Sequence, residues 1–118
     1  MSAIELKERL RTDLLAAMRA RASDHVRVVR MLLAAVDNAE AVPIASEGAA
    51  TPPTGTRAFG DPSGEVPRRE VDAAAIEALL AAEAETRRAA AAFCDRHGQA
   101  GEAERLRKEA ELVEGYRA

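Results

Sequence analysis

The chain has 118 residues, of which 47% are apolar, 3% aromatic and 31% charged, with a formal net charge of −3 at pH 7. This length fits one small domain and leaves little room for two. The acidic balance argues against a general DNA- or RNA-binding protein, which needs a basic surface for the phosphate backbone. Any anion binding must come from a local patch, because residues 1–40 carry a net charge of +1 and residues 70–118 carry −4.

The apolar residues are mostly Ala, Leu and Val, and the chain has one Tyr, two Phe and no Trp. Ala has the highest helix propensity, whereas sheets favour the β-branched and aromatic residues that are scarce here. We therefore predict an all-α fold in a single domain over residues 1–118. The expected architecture is a four-helix arrangement of two antiparallel helical hairpins joined by a long Pro/Gly-rich loop.

The cysteine content and the N-terminus indicate the compartment. Cys94 is the only cysteine, which excludes an intrachain disulfide and fits a reducing environment. The opening residues MSAIELKERL lack the apolar segment of a signal peptide, and no stretch reaches the roughly 18 apolar residues of a membrane span. We expect a cytoplasmic protein without a membrane partner.

The first helix is predicted over residues 3–22. It begins with a capping box, in which the Ser2 hydroxyl accepts a hydrogen bond from the Glu5 backbone and the Glu5 carboxylate accepts one from Ser2. Apolar residues then recur every four positions, which predicts one buried stripe. The stripe consists of Leu6, Leu10, Leu14 and Met18.

The second helix, predicted over residues 24–40, is apolar over much of its girth. One side carries Val26, Val29, Leu33 and Val36, and Val28, Met31 and Leu32 widen it. A helix of this kind is usually buried on more than one side, so we predict that it is the central helix.

All five prolines and four of the seven glycines lie between residues 43 and 67. Pro lacks a backbone donor and Gly has excess backbone entropy, so we predict a linker over residues 41–67. The third helix is predicted over residues 68–97 and the fourth over residues 101–116. The third helix is expected to end before Gly98, with Gly98 in the left-handed conformation of positive φ. The seam of the third helix, with a spacing of about 3.5 residues, is predicted to contain Val71, Ala75, Leu79, Ala82, Thr86, Ala89 and Phe93.

Cys94 and His97 lie three positions apart on one predicted helix face, a spacing that two metal ligands could use. Zinc needs three or four protein ligands, and the only other strong nitrogen or sulfur donor is His25. We therefore expect a packed Cys and a His at a helix C-terminus rather than a metal site or a nucleophile pair. The sequence predicts no catalytic residue, no metal and no cofactor.

Pairs of arginines are the most distinctive charged feature. Arg27 and Arg30 lie one turn apart on the second helix, and Arg87 and Arg88 are adjacent on the third. Arg30 lies within an apolar run, so its stem can cover the core while its guanidinium reaches a carboxylate or an anion. We favour an ion pair with the acidic fourth helix, because Arg makes good bidentate contacts with carboxylates. The alternative is an anion or partner contact made together with Arg27.

Three segments resemble the GatB/YqeY family. They are RVVRMLLAAVDNAE at residues 27–40, EVDAAAIEALLAAEAETRRAAAAF at residues 70–93 and EAELVEGY at residues 109–116. Together they cover both helical halves in the family's order. The matching residues include Arg27, Arg30, Asn38, Glu40, Glu70, Val71, Arg87, Arg88, Phe93, Glu109, Ala110, Glu111, Leu112 and Tyr116.

The resemblance implies a YqeY-like domain related to the helical and tail region of the B subunit of the tRNA-dependent amidotransferase. That enzyme is a carbon–nitrogen ligase with glutamine as amido-nitrogen donor. Neither the subunit's kinase-like catalytic region nor the family's second helical subdomain is matched, so we expect a non-catalytic interaction module associated with this machinery or with tRNA metabolism. Its candidate anion- or partner-binding residues are Arg27, Arg30, Asn38, Arg87 and Arg88. The alternative is a protein-interaction or self-association module with no RNA role.

Overall fold

In a computed structural model that describes residues 1–41 and 70–117, the chain forms four α-helices and no β-strand. The helices are α1 (Ala3–Ala20), α2 (Ser23–Ala41), α3 (Ala73–Arg96) and α4 (Ala100–Glu114). The all-α prediction is therefore confirmed for this part of the chain. No helix in these two ranges is long and apolar enough to cross a membrane. From residue 42 onward the predicted linker lies outside the described residues, as do residues 68 and 69 of the predicted third helix.

The N-terminus of α1 has the predicted capping box. The Glu5 backbone N–H donates to Ser2 Oγ at 3.1 Å, and the Ser2 N–H donates to Glu5 Oε1 at 2.9 Å. The Ser2 backbone donor, followed by its hydroxyl, lowers the pKa of Glu5 because both stabilise the charged carboxylate. At the other end, Arg21 has a left-handed backbone with φ 56°, and its N–H donates to the Met18 carbonyl at 3.2 Å. This turn leads directly into α2.

The start of α3 differs from the prediction. Asp72 is the N-cap and its side chain accepts a hydrogen bond from the Ala75 N–H at 2.8 Å, so residues 70–72 precede the helix. The predicted start near residue 68 did not take the Asp72 carboxylate into account, although this group can satisfy a backbone donor of the first helical turn. After α3, Gly98 has the predicted positive φ, at 74°, and α4 follows from Ala100.

The main core forms around α2, which contacts each of the other three helices. Its side chains Val28, Val29, Leu32 and Val36 are fully buried, whereas Leu33 is half-buried. The apolar girth of α2 thus predicted its central place correctly. The other buried members of the main core are Ala3, Leu6, Leu10, Val71, Ile76, Leu80, Ala84, Val113 and Tyr116.

The buried face of α3 is not the predicted one. The buried positions are Ile76, Leu80, Ala84, Arg87, Ala91 and Cys94, whereas Ala82, Thr86, Ala89 and Phe93 of the predicted seam are exposed. Both sets follow a spacing of about 3.5 residues. Because α3 is rich in Ala on every side, periodicity alone fits more than one face. The observed seam includes a charged residue, Arg87, which a search for apolar periodicity does not select.

A second, smaller cluster lies toward the turn between α3 and α4. Ala91, Cys94 and Ala103 are buried there against the partly buried Leu106. Side chains this small allow two helices to approach closely. On α3, Arg87 lies between this small cluster and the main core, so a charged residue separates the two apolar regions.

Candidate partner-binding site

A charged layer lies where α2, α3 and α4 meet. Its centre is formed by Arg87 and Glu109, whose side chains are each 5% exposed and whose Nε and Oε1 atoms lie 3.4 Å apart. Removing two charges from water costs several kcal/mol unless neighbouring hydrogen bonds satisfy them. The contacts around this pair therefore decide whether it stabilises the fold.

The carboxylate of Glu109 is shared by arginines from three helices. Its Oε2 accepts hydrogen bonds from Arg27 Nε at 3.1 Å and from Arg105 Nη1 at 2.5 Å, while Oε1 faces Arg87. Arg105 also donates to Glu102, and this hydrogen bond lowers the pKa of Glu102 and raises that of Arg105. Glu109 is therefore well compensated as a buried anion.

The guanidinium of Arg87 reaches α2 as well as its own helix. Nη1 donates to the Glu83 carbonyl at 3.1 Å and to Glu83 Oε1 at 2.9 Å, and Nη2 donates to the Met31 Sδ at 3.3 Å. Within the described residues Nε has no hydrogen-bond partner, so its contact with Glu109 is an ion pair without hydrogen-bond alignment. Arg87 thus belongs to the interior and links three helices.

Arg30 does not make the expected ion pair with the fourth helix. That pair is made by Arg27, one turn earlier, because Glu109 lies level with the beginning of α2. Arg27 is also paired with Asp24, with Nη2 and Oδ1 2.5 Å apart. In the ranges 1–41 and 70–117, the exposed guanidinium of Arg30 contacts no carboxylate.

The other predicted binding residues do not join this layer. Arg88 is next to Arg87 in sequence, but it points outward and pairs with Glu114 at 2.6 Å, which lowers the pKa of Glu114. Asn38 is exposed near the end of α2, about 16 Å along the helix axis from Arg27. The structure therefore brings Arg27 and Arg87 to the same carboxylate and leaves Arg88 and Asn38 apart from them.

A surface groove runs beside Arg27 and Arg30 at the α1–α2 turn. This α1–α2 groove has a volume of about 630 Å³ and is lined by Met18, Arg21, Ser23, Val26, Arg27, Arg30 and Met31. Met18 and Met31 are 48% and 47% exposed. Met18 was expected in the buried stripe of the first helix, but the stripe ends at the half-buried Leu14 and the buried Ala17.

Cys94 and His97 have separate environments. Cys94 is a free, buried thiol in the small cluster. His97 is exposed, with Nδ1 2.8 Å from the Phe93 carbonyl oxygen and its ring stacked on Phe93 at 4.1 Å between centroids. Within residues 1–41 and 70–117, no group of three or more His, Cys, Asp or Glu side chains has the arrangement of a metal site.

The sequence predicted no site role for Glu109, Glu83 or Arg105, which are members of the charged layer. Glu109 follows Leu106 by three positions and precedes Val113 by four, which is the spacing of the apolar seam of α4. Arg87 occupies the same kind of position on α3. Opposite charges at seam positions of two neighbouring helices are the signal that indicates such a buried pair.

The chain was also compared with known proteins. No protein-family model matches it, no curated protein matches it, and no solved structure matches it.

Proposed function

We propose that this chain is a non-catalytic helical interaction module and that the α1–α2 groove is its binding surface. The observation that supports this most is the exposure of Met18 and Met31 beside Arg30, which has no carboxylate partner in the described part of the chain. Apolar side chains and an arginine that are exposed together are typical of surfaces that bind a partner.

The proposed architecture is two antiparallel hairpins, α1 with α2 and α3 with α4. Lys7 near the start of α1 contacts Glu40 at the end of α2, with Nζ and Oε1 2.6 Å apart. Arg117, just after α4, contacts Glu77 near the start of α3, with Nη2 and Oε1 also 2.6 Å apart. Contacts between the beginning of one helix and the end of the next support an antiparallel arrangement.

The proposed relationship to the GatB/YqeY family is one of architecture. Several residues that carry the resemblance are buried, among them Arg87, Glu109, Ala110 and Tyr116. A charged residue at a buried position needs its partner for the fold, so this part of the pattern is explained by folding. We propose that association with the tRNA-dependent amidotransferase machinery, if the family relationship holds, is by protein contact and that this chain performs no chemistry itself.

Direct tRNA binding is a second candidate function. It is favoured by residues 18–31, which carry four arginines against one acidic residue, a local net charge of +3 in a chain of −3. Of the predicted anion-binding arginines, however, Arg87 is buried and Arg88 is paired with Glu114. A phosphate contact would therefore depend mainly on Arg30 and its neighbours in the groove.

Capture from a cell extract tests the proposed module. The immobilised full chain is compared with Arg30→Glu and with Arg11→Glu, a matched change at an exposed arginine of α1 outside the groove. Bound proteins are identified by mass spectrometry and bound RNA by sequencing. We expect a protein that is retained by the wild type and by Arg11→Glu and is lost with Arg30→Glu.

Two other results would contradict this proposal. Retention that is insensitive to Arg30→Glu would show that the groove is not the binding surface. Capture of tRNA alone, with an affinity that falls as salt rises, would favour the RNA role instead. Light scattering of the purified chain measures its oligomeric state. It distinguishes self-association from binding of a protein partner or of tRNA, because a second copy of the chain binds in the absence of extract.

A further inference from the structure

We propose that the occupant of the α1–α2 groove is an acidic amphipathic helix of a partner protein. This inference rests on the proposed function as an interaction module and names the chemistry of its partner. The helix would place apolar side chains on Met18 and Met31 and carboxylates next to Arg21 and Arg30.

The apolar part of the groove suits a helix. Met18, Val26 and Met31 come from both α1 and α2, and the two methionines are about half exposed. Methionine is unbranched and polarizable, so a surface built from it adapts to apolar side chains of different shapes. Amphipathic helices bind such grooves through apolar residues spaced three or four positions apart.

The charged residues of the groove determine the sign of the charge that a partner should carry. Residues 18–31 have a local net charge of +3. Arg27 is already engaged by Asp24 and Glu109. Among the residues that the structure describes, Arg21 and Arg30 contact no carboxylate, and acidic side chains on a partner would supply one.

The groove is preorganised by the interior. Met31 Sδ accepts a hydrogen bond from Arg87 Nη2, and Arg87 is held by Glu83 and Glu109. Arg21 is placed by the left-handed turn at the end of α1. Binding to a Met31 side chain and an Arg21 backbone that are already positioned costs less conformational entropy than ordering them on binding.

The same groove is poorly suited to RNA. Base recognition in single strands uses aromatic stacking, and none of the groove residues is aromatic. A phosphate backbone would contact Arg21 and Arg30 but would leave Met18 and Met31 against water. The combination of apolar and basic side chains therefore favours an acidic helix over a nucleic acid.

A synthetic peptide tests this inference with the full chain. The probe is a fluorescent helical peptide of about 16 residues, with Leu at positions spaced three and four apart and Glu on the remaining face. A scrambled peptide of the same composition keeps the charge but has no apolar face. Total tRNA is the third probe. Binding is measured by fluorescence anisotropy, with circular dichroism to verify that each variant is folded.

We expect the amphipathic peptide to bind and the scrambled peptide and tRNA to bind at least about tenfold more weakly. Arg30→Glu and Met18→Gln should each weaken binding of the peptide about tenfold. The matched controls are Arg11→Glu and Ile4→Gln, which alter an exposed arginine and an exposed apolar residue of α1 outside the groove. They should change the affinity less than about twofold.

Equal binding of the two peptides would overturn the inference, because charge alone would then explain the affinity. Preference for tRNA, or loss of binding in the control variants to the same extent, would also overturn it. If the peptide does not bind while extract capture still depends on Arg30, the acidic-helix inference is wrong and the interaction module stands. If capture is also independent of Arg30, the proposed binding surface is wrong.

Discussion

The two apolar clusters of this protein differ in the side chains that fill them. The main core around α2 is built largely from Leu, Ile and Val, and their burial is favourable without any directional requirement. The small cluster between α3 and α4 contains Ala91, Cys94 and Ala103, which bury little area. Between them lies the charged layer of Arg87 and Glu109.

The large apolar side chains and the buried charged residues contribute to the fold in different ways. Burial of large apolar side chains stabilises the fold, but on a helix as rich in Ala as α3 it does not choose one face over another. The contacts of Arg87 depend on position, because its Nη atoms donate to Glu83 and Met31 while its Nε lies 3.4 Å from Glu109 Oε1. We infer that the charged layer selects the face and register of α3 against α4, as buried polar groups do in some coiled coils.

The largest effect is expected from Glu109→Ala. The change removes the buried carboxylate that faces Arg87 and leaves the buried guanidinium with Glu83 as its carboxylate partner in the described part of the chain, so the free energy of unfolding should fall by about 3–5 kcal/mol. Urea denaturation followed by circular dichroism measures this difference. The control is Glu111→Ala, an exposed change on the same helix that should cost less than about 0.5 kcal/mol. Equal effects of the two changes would show that the charged layer contributes little.

Leu32→Ala tests the main core. Leu32 is fully buried on the central helix, so its truncation should lower the free energy of unfolding by about 2–5 kcal/mol through lost burial and a cavity. The neighbouring Leu33 is half-buried, and Leu33→Ala should cost less than half as much. If Leu33→Ala lowers the free energy of unfolding more than Leu32→Ala does, the buried face of α2 has been assigned incorrectly.

Ala103→Leu tests the small cluster, where close packing rather than area is important. Ala103 is fully buried opposite α3, so a larger side chain must push the two helices apart, at a cost of about 2 kcal/mol in the free energy of unfolding. Ala100→Leu, at the exposed start of the same helix, is the control and should have little effect. A stabilised Ala103→Leu variant would mean that the cluster is underpacked.

Tyr116→Phe tests a polar contact of the main core. The Tyr116 hydroxyl donates a hydrogen bond to Asp13 Oδ2. Loss of this hydrogen bond should lower the free energy of unfolding by about 1.5 kcal/mol. Burial, followed by this hydrogen bond, raises the pKa of Tyr116 above its ordinary value of 10.0. The pKa of Tyr116 is higher in the folded than in the unfolded state. The contribution of this hydrogen bond to the free energy of unfolding is therefore complete below about pH 10 and declines as the pH rises above it.

The measurement is the difference in unfolding free energy between wild type and Tyr116→Phe at about pH 8 and about pH 11. We expect the difference to shrink at the higher pH. A difference that grows with pH would contradict the assignment of the hydroxyl as a donor to Asp13.

The smallest change in stability is expected from the double variant Arg87→Met/Glu109→Leu. Apolar replacement of a buried ion pair is often neutral or stabilising, so the free energy of unfolding of the double variant should lie within about 1 kcal/mol of that of the wild type. If the charged layer selects the register, the side-chain NMR signals of α3 and α4 should broaden or double. Sharp, single signals would show that apolar packing alone is sufficient.

Several features were predictable because they depend on neighbours in the sequence. The capping box of Ser2 and Glu5 and the positive φ of Gly98 are local, and both are confirmed. The central place of α2 followed from its apolar girth. The residues of the proposed binding groove were only partly predictable. Arg30 was singled out, but Met18 was assigned to the buried stripe of the first helix and Met31 to the apolar girth of the second.

By itself, the sequence determined the helical class of the described residues, the N-cap of the first helix and the identity of the central helix. These depend on backbone hydrogen bonding and hydrophobic periodicity within one segment. Only the tertiary structure decided that α3 buries the face with Arg87 and that Arg27 rather than Arg30 pairs with Glu109. Such choices depend on which charges of distant segments come within hydrogen-bonding distance, and the period of a single helix contains no information about that.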